Sequence, residues 1–300
     1  MSKDFDAFFR SREARRFYED GPPHWIENEG KRYAKPSSTA KDAEIQKAKL
    51  VERLSTSTDT RARELGRILA ACSVLSRCRS GACPCDNRAL QRWFVDEVSG
   101  LAGVAEGEWS AISIVPTFGT FPVVDAPRDA LKTFADLIKQ LITGAGIDRA
   151  IIGIDPNFNE HAEGKFERHG QLQAWLLVRS EVLTKDVRRR LRRLLNKSAT
   201  HLKPLVIKPY DGRLNGAAYA LKHKFFRRVT TPPKKNDDGA TVERQNSRPS
   251  RKPRVQQEVA LSLLLHEAGP QGRLILHGWK LFNPQSRTEI KTTNKGEQQM

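Results

Sequence analysis

The change of residue pattern that begins at Trp109 constrains the fold of this chain more than any other feature of the sequence. From there to Phe226, short runs typical of strands alternate with stretches whose apolar residues recur every three or four positions, as in helices. The predicted strands span residues 111–115, 149–154, 170–178 and 205–208, and the predicted helices span residues 129–143, 185–197 and 214–226, with a polar turn at 156–164. The pattern therefore predicts helices packed on one central sheet.

The order of these elements identifies the fold class. Strand, helix, strand, strand, helix and strand follow one another as in the split βαβ arrangement of a ferredoxin-like domain. In such an α+β domain the sheet is antiparallel and its helices lie on one face. The flanking residues are more polar, and we predict disordered, largely basic tails on both sides. The predicted boundaries are a mostly disordered charged arm at 1–60 with one helix near 40–54, a helical cysteine-bearing segment at 61–100, the sheet domain at 108–230, a basic disordered linker at 231–258, a short C-terminal element at 259–282 and a disordered tail at 283–300.

The charge balance restricts the class of partner. The chain has 52 Lys and Arg residues against 35 Asp and Glu residues, a formal net charge of +17. A polyanion is the natural partner of such a chain, and we expect nucleic acid rather than an acidic membrane surface. No stretch approaches the roughly 20 consecutive apolar residues of a membrane helix, and the N-terminal residues are too polar for a signal peptide. We therefore expect a cytoplasmic protein.

The four cysteines, Cys72, Cys78, Cys83 and Cys85, fall within fourteen residues. This clustering is typical of a metal site rather than of a disulfide scaffold, above all in a reducing compartment. Four thiolates can close a tetrahedral zinc site that leaves no position for water, so the predicted role of the ion is structural. Inert reduced thiols and a redox pair are the alternatives that the spacing leaves open.

Polar residues line one face of the strand predicted at 170–178. Because residues two apart in a strand share a face, His169, Gln171 and Gln173 lie on one side of an otherwise apolar strand. Such a row either meets solvent or builds a site. Further along the chain, Tyr219 is followed one helical turn later by Lys222 on the same face. Tyr219 can act there as a nucleophile beside a cation, stack on DNA, or simply pack.

This layout resembles that of the HUH single-strand DNA endonucleases, the superfamily of rolling-circle replication initiators (Rep proteins), relaxases and single-strand transposases. In that superfamily a central strand carries a His-hydrophobic-His pair, and a later helix carries a tyrosine, often with a lysine three or four residues further on. The resemblance covers roughly residues 109–229 in predicted topology, and two short motifs carry it. Gln171 and Gln173 stand at the positions of the two histidines, so the HUH motif of this chain is degenerate.

The resemblance implies nicking and rejoining of single-stranded DNA, in the replication or mobility of a bacterial plasmid, phage or transposable element. Tyr219 would be the nucleophile, and the products would be a 5′-phosphotyrosine link and a free 3′-hydroxyl group. Lys222 would lower the cost of forming the phenolate, because a phenol is a weak nucleophile at neutral pH. A Mg²⁺ or Mn²⁺ ion held by Gln171, Gln173 and His169 would polarise the scissile phosphate.

Basic residues near these motifs are the predicted contacts with the DNA backbone, since guanidinium and ammonium groups bind phosphates. A second hypothesis is a non-catalytic nucleic-acid-binding protein of the same fold, which the missing histidines favour. A third hypothesis, an RNA-binding module that stacks bases on paired aromatic residues, is disfavoured because Trp175 is the only aromatic residue of its strand. The predicted contact residues are Arg188, Arg189, Arg190, Arg192, Arg193, Lys224, Arg227 and Arg228.

Overall fold

The structure is a computed structural model, and it describes residues 12–19, 39–102, 107–123, 126–195, 203–212, 214–230, 250–282 and 289–292. The helices are α1 (Arg12–Tyr18), α2 (Ala40–Ser55), α3 (Thr60–Ala70), α4 (Pro84–Ala102), α5 (Ala130–Ala145), α6 (Lys185–Leu194), α7 (Leu214–Ala220) and α8 (Val255–Ala268). The strands are β1 (Trp109–Ile114), β2 (Thr120–Pro122), β3 (Ala150–His161), β4 (His169–Arg179), β5 (Leu205–Pro209), β6 (Arg227–Thr230), β7 (Ser250–Arg251), β8 (Leu274–His277), β9 (Trp279–Phe282) and β10 (Glu289–Thr292). None of the described helices is long and apolar enough to cross a membrane.

Eight of the described strands form one sheet around the long hairpin of β3 and β4. The central strand order is β5-β1-β4-β3, and these three pairings are antiparallel. β2 pairs with the beginning of β4, and β8 pairs with the beginning of β3. β6 runs parallel to the end of β3 and pairs with β7, whereas β9 and β10 form a separate hairpin. The register places Asp155 opposite Gln173 and Asn157 opposite Gln171.

Helices cover both faces of this sheet. On one face, which we call the α5 face, Ile152 and Leu176 join a core formed with α2, α3, α5, α6 and α8. On the other, the α7 face, Ile151 and Leu177 pack with α1, α4 and α7. The prediction of helices on one face is therefore wrong. The reason is that β3 and β4 carry apolar residues at consecutive positions, so both faces must be shielded from water.

Two elements differ in length from their predictions. β3 continues through His161, although the sequence predicts a polar turn at 156–164. The polar residues at the end of β3 alternate along the strand, and β6 pairs with this end in parallel. They therefore form a strand and not a loop. α7 ends at Ala220, although the pattern predicts a helix to residue 226. The chain leaves the helix because the carbonyl oxygen of Phe226 accepts a hydrogen bond from the N–H of Phe158, which draws it into the sheet.

Parts of the predicted disordered flanks are folded. α2 buries Leu50 and Leu54 in the core of the α5 face, so residues 40–60 belong to the folded body. Residues 250–258, predicted as linker, form β7 and the start of α8. This segment is held by the buried carboxylate of Glu160 on β3, which accepts hydrogen bonds from Arg227 and Arg254. The disorder predicted at 1–11, 20–38, 231–249, 283–288 and 293–300 lies outside the described residues.

α7 rests directly on the backbone of β3 at Gly153. A Cβ atom on Gly153 would lie 2.6 Å from the Cβ atom of Ala220 and 2.7 Å from its carbonyl oxygen. Such distances are shorter than any van der Waals contact between these atoms. Glycine at position 153 is therefore what allows the end of α7 to reach the sheet.

We expect Gly153→Ala to lower the free energy of unfolding by about 1–3 kcal/mol, because the added methyl group must push α7 away from β3. Gly144→Ala is the matched control, since its methyl group would meet only the Leu194 Cδ1 atom at 4.0 Å, in a helix that favours alanine. Urea denaturation of both variants measures the difference. Equal stability of Gly153→Ala and the wild type would contradict the close contact.

Candidate functional site

Tyr219 lies on α7 with its hydroxyl group against the sheet. The hydroxyl oxygen accepts a hydrogen bond from Gln173 Nε2 on β4, at 3.0 Å, and another from Arg228 Nη2 on β6, at 3.1 Å. The residue is 41% exposed, so solvent and a ligand can reach it. One of these two N–H donors belongs to the cationic guanidinium group of Arg228. The structure thus joins Gln173, Tyr219 and Arg228, three residues that the sequence analysis singled out for separate reasons.

A buried carboxylate, Asp155 on β3, organises the same site. The Lys222 ammonium group lies 2.7 Å from Asp155 Oδ2 and 4.5 Å from the centre of the Tyr219 ring. Gln173 Nε2 also donates to Asp155 Oδ2, so one carboxylate oxygen orients both neighbours of the tyrosine. Lys222 is therefore a fixed cation beside Tyr219, although it follows α7 and does not lie on the same helix as predicted. Asp155 was missed because the predicted strand ends at residue 154, one residue before it.

Gln171 and His169 do not converge on Tyr219. The side-chain nitrogen of Gln171 donates to the carbonyl oxygens of Pro116 and Leu172, and its side-chain oxygen accepts from Thr120. His169 lies at the beginning of β4, where Nδ1 is 2.9 Å from the carbonyl oxygen of Glu167. The hydrogen bonds of Gln171 hold the turn between β1 and β2. Of the three predicted ion ligands, only Gln173 faces the tyrosine.

Two neighbouring residues on β3 keep polar atoms that lack hydrogen-bond partners among the described residues. They are the Asp155 Oδ1 atom and both terminal atoms of the Asn157 side chain. Asp155 is 1% exposed and Asn157 is 2% exposed. Buried polar atoms are nearly always paired, so this pair of residues is a place where water, an ion or a ligand group fits.

Gln91 on α4 supports the helix that carries Tyr219. Its side-chain nitrogen donates to the carbonyl oxygen of Ala218 at 2.6 Å, and its side-chain oxygen lies 3.0 Å from Nδ1 of His223. Burial lowers the pKa of His223 to about 4, so the ring is neutral at physiological pH and donates this hydrogen bond from Nδ1. One amide therefore ties α4 to the residues on both sides of Tyr219.

The start of α4 carries a second candidate site. Cys72, Cys78, Cys83 and Asp86 place their ligand atoms within 4.8 Å of one another and can hold a metal ion. The Cys72 and Cys83 sulfur atoms lie 3.8 Å apart, and Cys78 Sγ lies 3.4 Å from Asp86 Oδ2. The prediction that all four ligands are cysteines is wrong for one of them, because Asp86 takes the place of Cys85. Cys85 is not one of these four groups; its thiol donates to Glu44 and also contacts Cys83.

Buried groups surround this cluster. Burial, followed by the charge of Cys72, raises the pKa of Asp86 to about 6. The Tyr18 hydroxyl donates to Asp86 Oδ1 at 3.0 Å, and the Arg77 guanidinium stacks 3.6 Å above the Tyr18 ring. Arg88 is itself buried and donates to the backbone oxygens at the end of α1. Arg77 and Arg88 therefore hold α1 in place.

The arginines of α6 do not lie beside the tyrosine site. Val187 and Leu191 of α6 are buried in the core of the α5 face, which is the opposite face of the sheet from Tyr219. Three of the predicted contacts point to solvent there, namely Arg189, Arg192 and Arg193. The other two predicted contacts on α6 touch the rest of the protein. Arg188 donates to the Leu183 carbonyl oxygen, and Arg190 lies against Gly146.

The predicted contacts that follow α7 also include both structural residues and residues that a ligand can reach. Arg227 forms an ion pair with the buried Glu160 at 2.9 Å and is a structural residue. Lys224 is exposed, and Arg228 contacts the Tyr219 hydroxyl. Of these three residues, Arg228 lies at the tyrosine, whereas Lys224 is exposed beside α2 and α8.

For the cysteine cluster we expect about one tightly bound metal ion per chain, because the three thiol groups and one carboxyl group already converge. Cys83→Ser should release the ion and lower the melting temperature. Cys85→Ser is the matched control, since Cys85 is not one of these four groups, and it should retain the ion. Elemental analysis of the purified variants measures the metal content. Loss of the ion from Cys85→Ser but not from Cys83→Ser would contradict this assignment.

Comparison of the chain with protein-family models, with curated proteins and with solved structures finds no match. A functional conclusion therefore depends on the geometry of the two sites. The tyrosine site has an exposed reactive group, whereas Cys72, Cys83 and Asp86 of the cluster are buried and Cys78 is partly buried.

Proposed function

We propose that this protein binds single-stranded DNA and nicks and rejoins it through Tyr219. The observation that carries the proposal is the exposed Tyr219 hydroxyl, which accepts hydrogen bonds from Gln173 and Arg228 beside the Lys222–Asp155 ion pair. A merely packed tyrosine needs no second cation near its ring and no cationic donor on its oxygen. The net charge of +17 supports a polyanionic substrate. The biological setting that we propose is the replication or mobility of a plasmid, phage or transposable element.

The chemistry assigned to these residues is an exchange of phosphate esters. The Tyr219 oxygen attacks the phosphorus atom while its proton leaves to solvent, and the bond between phosphorus and the 3′-oxygen breaks. The 3′-oxygen leaves with a proton from water, which gives a 5′-phosphotyrosine link and a free 3′-hydroxyl group. Gln173 orients the phenolic oxygen, and Arg228 binds the non-bridging phosphate oxygens, where charge accumulates. The reverse reaction rejoins the strand.

A ferredoxin-like, HUH-type assignment is part of this proposal. Its support is the spatial strand order β5-β1-β4-β3, which in chain order is fourth, first, third and second, as in a split βαβ sheet. The two connections that such a sheet requires are α5 and α6, both on the α5 face. The strands β6, β7 and β8 and the helices α4 and α7 are additions to that plan. We infer that they build the tyrosine site onto the other face.

The residues that could hold a divalent ion differ from those that the resemblance implies. Gln171 and His169 are occupied elsewhere, so the predicted set does not fit. On β3, Asp155 Oδ1 and Asn157 Oδ1 are buried oxygen atoms without hydrogen-bond partners among the described residues, and hard divalent ions accept both carboxylate and amide oxygens. We propose Asp155 and Asn157 as ligands of Mg²⁺ or Mn²⁺. When bound, such an ion would polarise the scissile phosphate.

Zinc is the ion that we propose for the cysteine cluster. Sulfur atoms about 2.3 Å from one tetrahedral zinc ion lie about 3.8 Å apart. The Cys72 and Cys83 sulfur atoms have this separation. Three thiolates and one carboxylate fill a tetrahedron and leave no open position, so the proposed role is structural.

A non-catalytic nucleic-acid-binding function is the second candidate. It is favoured by Gln171, whose amide group is used up in the turn between β1 and β2 and contributes nothing to chemistry. The two candidates share the DNA-binding surface and differ only in whether Tyr219 forms a covalent bond. Adduct formation therefore separates them.

For the nicking reaction we expect labelled hairpin oligonucleotides and Mn²⁺ to give a denaturation-resistant protein–DNA adduct. Tyr219→Phe should abolish it, because the nucleophile is deleted, and Gln173→Ala should lower its yield about 100-fold, because an orienting donor is lost. Tyr210→Phe, at a buried tyrosine of the same face, is the matched control and should retain the adduct. Denaturing electrophoresis measures the yield. Adduct formation by Tyr219→Phe would assign the covalent bond to another residue, and the absence of an adduct from the wild type on a broad hairpin panel would leave only the binding function.

The path of the strand can be tested through its salt dependence. We propose that it crosses the α7 face, so Arg228→Ala should flatten the slope of log affinity against log salt by about 0.7, the value for one phosphate contact on a single strand. Arg192→Ala, on the exposed side of α6, should leave the slope unchanged. Fluorescence anisotropy at several salt concentrations measures both. The opposite result would assign the strand to the arginines of α6.

A further inference from the structure

A cavity of about 380 Å³ lies between α2, residues 223–226 and α8. Its size is in the range of small-ligand sites. Its inner wall is apolar and includes Leu50, Leu261 and Leu265, all of them members of the core of the α5 face. The cavity thus has a firm floor that belongs to the folded body.

Phe226 connects this cavity with Tyr219. It lines the cavity, and it is 37% exposed although it is a large apolar side chain. The Lys222 ammonium group lies 5.5 Å from the centre of the Phe226 ring and 4.5 Å from the centre of the Tyr219 ring. One cation therefore stands between two exposed aromatic rings, one in the tyrosine site and the other at the cavity.

Positive charge surrounds the opening of the cavity. Three exposed lysines line it, and they form no ion pair among the described residues. The carboxylate in the lining, Glu258, is already paired with Arg53. An aromatic wall below unpaired ammonium groups matches a ligand with a flat ring and a phosphate group. The three lysines are Lys49, Lys224 and Lys252.

We propose that this cavity binds one unpaired nucleotide of the DNA strand that reacts at Tyr219. Its base stacks on Phe226, and its phosphate lies among the three lysines. A base-paired nucleotide is excluded, because its partner base would occupy the same narrow space. The inference rests on the proposed function for the identity of the strand. It adds a reason for single-strand selectivity, namely that only an unpaired base reaches the Phe226 ring.

The test measures binding and not nicking, so its outcome is independent of the reaction. A fluorescein-labelled single strand about twelve nucleotides long is the probe, and its duplex is the comparison. Phe226→Leu should weaken binding of the single strand about ten-fold, because stacking on one aromatic ring is lost. Phe226→Trp should retain the affinity. Phe118→Leu is the matched control, since Phe118 is 40% exposed and packs on Phe134 of the α5 face.

Three outcomes would overturn the proposal. They are unchanged single-strand affinity of a folded Phe226→Leu variant, an equal loss for single strand and duplex, or an equal loss in Phe118→Leu. A single strand that carries one 5-iodouracil gives a second measurement that does not depend on folding of a variant. Irradiation should link the iodinated base to Phe226, and linkage only to residues of α6 would also overturn the proposal. A protein that binds in this way but forms no adduct retains the cavity as a DNA site and loses only the nicking function.

Discussion

The close approach of α7 to β3 at Gly153 determines the rest of the tyrosine site. Because no side chain intervenes, Ala220 touches the strand backbone, and Tyr219 comes within hydrogen-bonding distance of β4 and β6. The polar residues of the sheet would otherwise face a gap between sheet and helix. Small residues on α7 and one glycine on β3 thus convert a sheet face into a site with a reactive hydroxyl group.

The electrostatic arrangement follows from this packing. Asp155 is buried under the helix, and its charge is balanced by Lys222, which follows α7 in the chain. A buried carboxylate needs such a partner, since an unpaired charge in the interior costs several kcal/mol. The pair therefore fixes Lys222 beside the Tyr219 ring. Arg228 completes the site from β6, whose parallel pairing with β3 sets its position.

The four central strands, and the helices α5 and α6 that connect them, could be predicted from the sequence, whereas β2 and β6 could not. The shared faces of Gln171 with Gln173 and of Tyr219 with Lys222 were predicted from spacing, but the placement of Tyr219 beside Gln173 was implied only by the family resemblance. Alternation along a strand and spacing along a helix are local properties, so they can be derived from a single sequence. Asp155 could not be found in this way, because its role depends on the register between β3 and β4. The presence of Asp86 rather than Cys85 in the cluster could not be predicted for a similar reason. Neighbouring helix residues point about 100° apart, and only tertiary packing decides which of them faces the cluster.

The central claim is that Tyr219 forms a covalent bond with DNA. Mass spectrometry tests it directly on the wild-type protein after incubation with hairpin DNA and Mn²⁺, followed by nuclease and protease digestion. The account predicts a peptide that contains Tyr219 and carries the mass of a nucleotide attached through its 5′-phosphate, with fragmentation that assigns the bond to the tyrosine. A nucleotide attached to a different residue, or unmodified Tyr219 peptide in a reaction whose DNA has been cut, would contradict it.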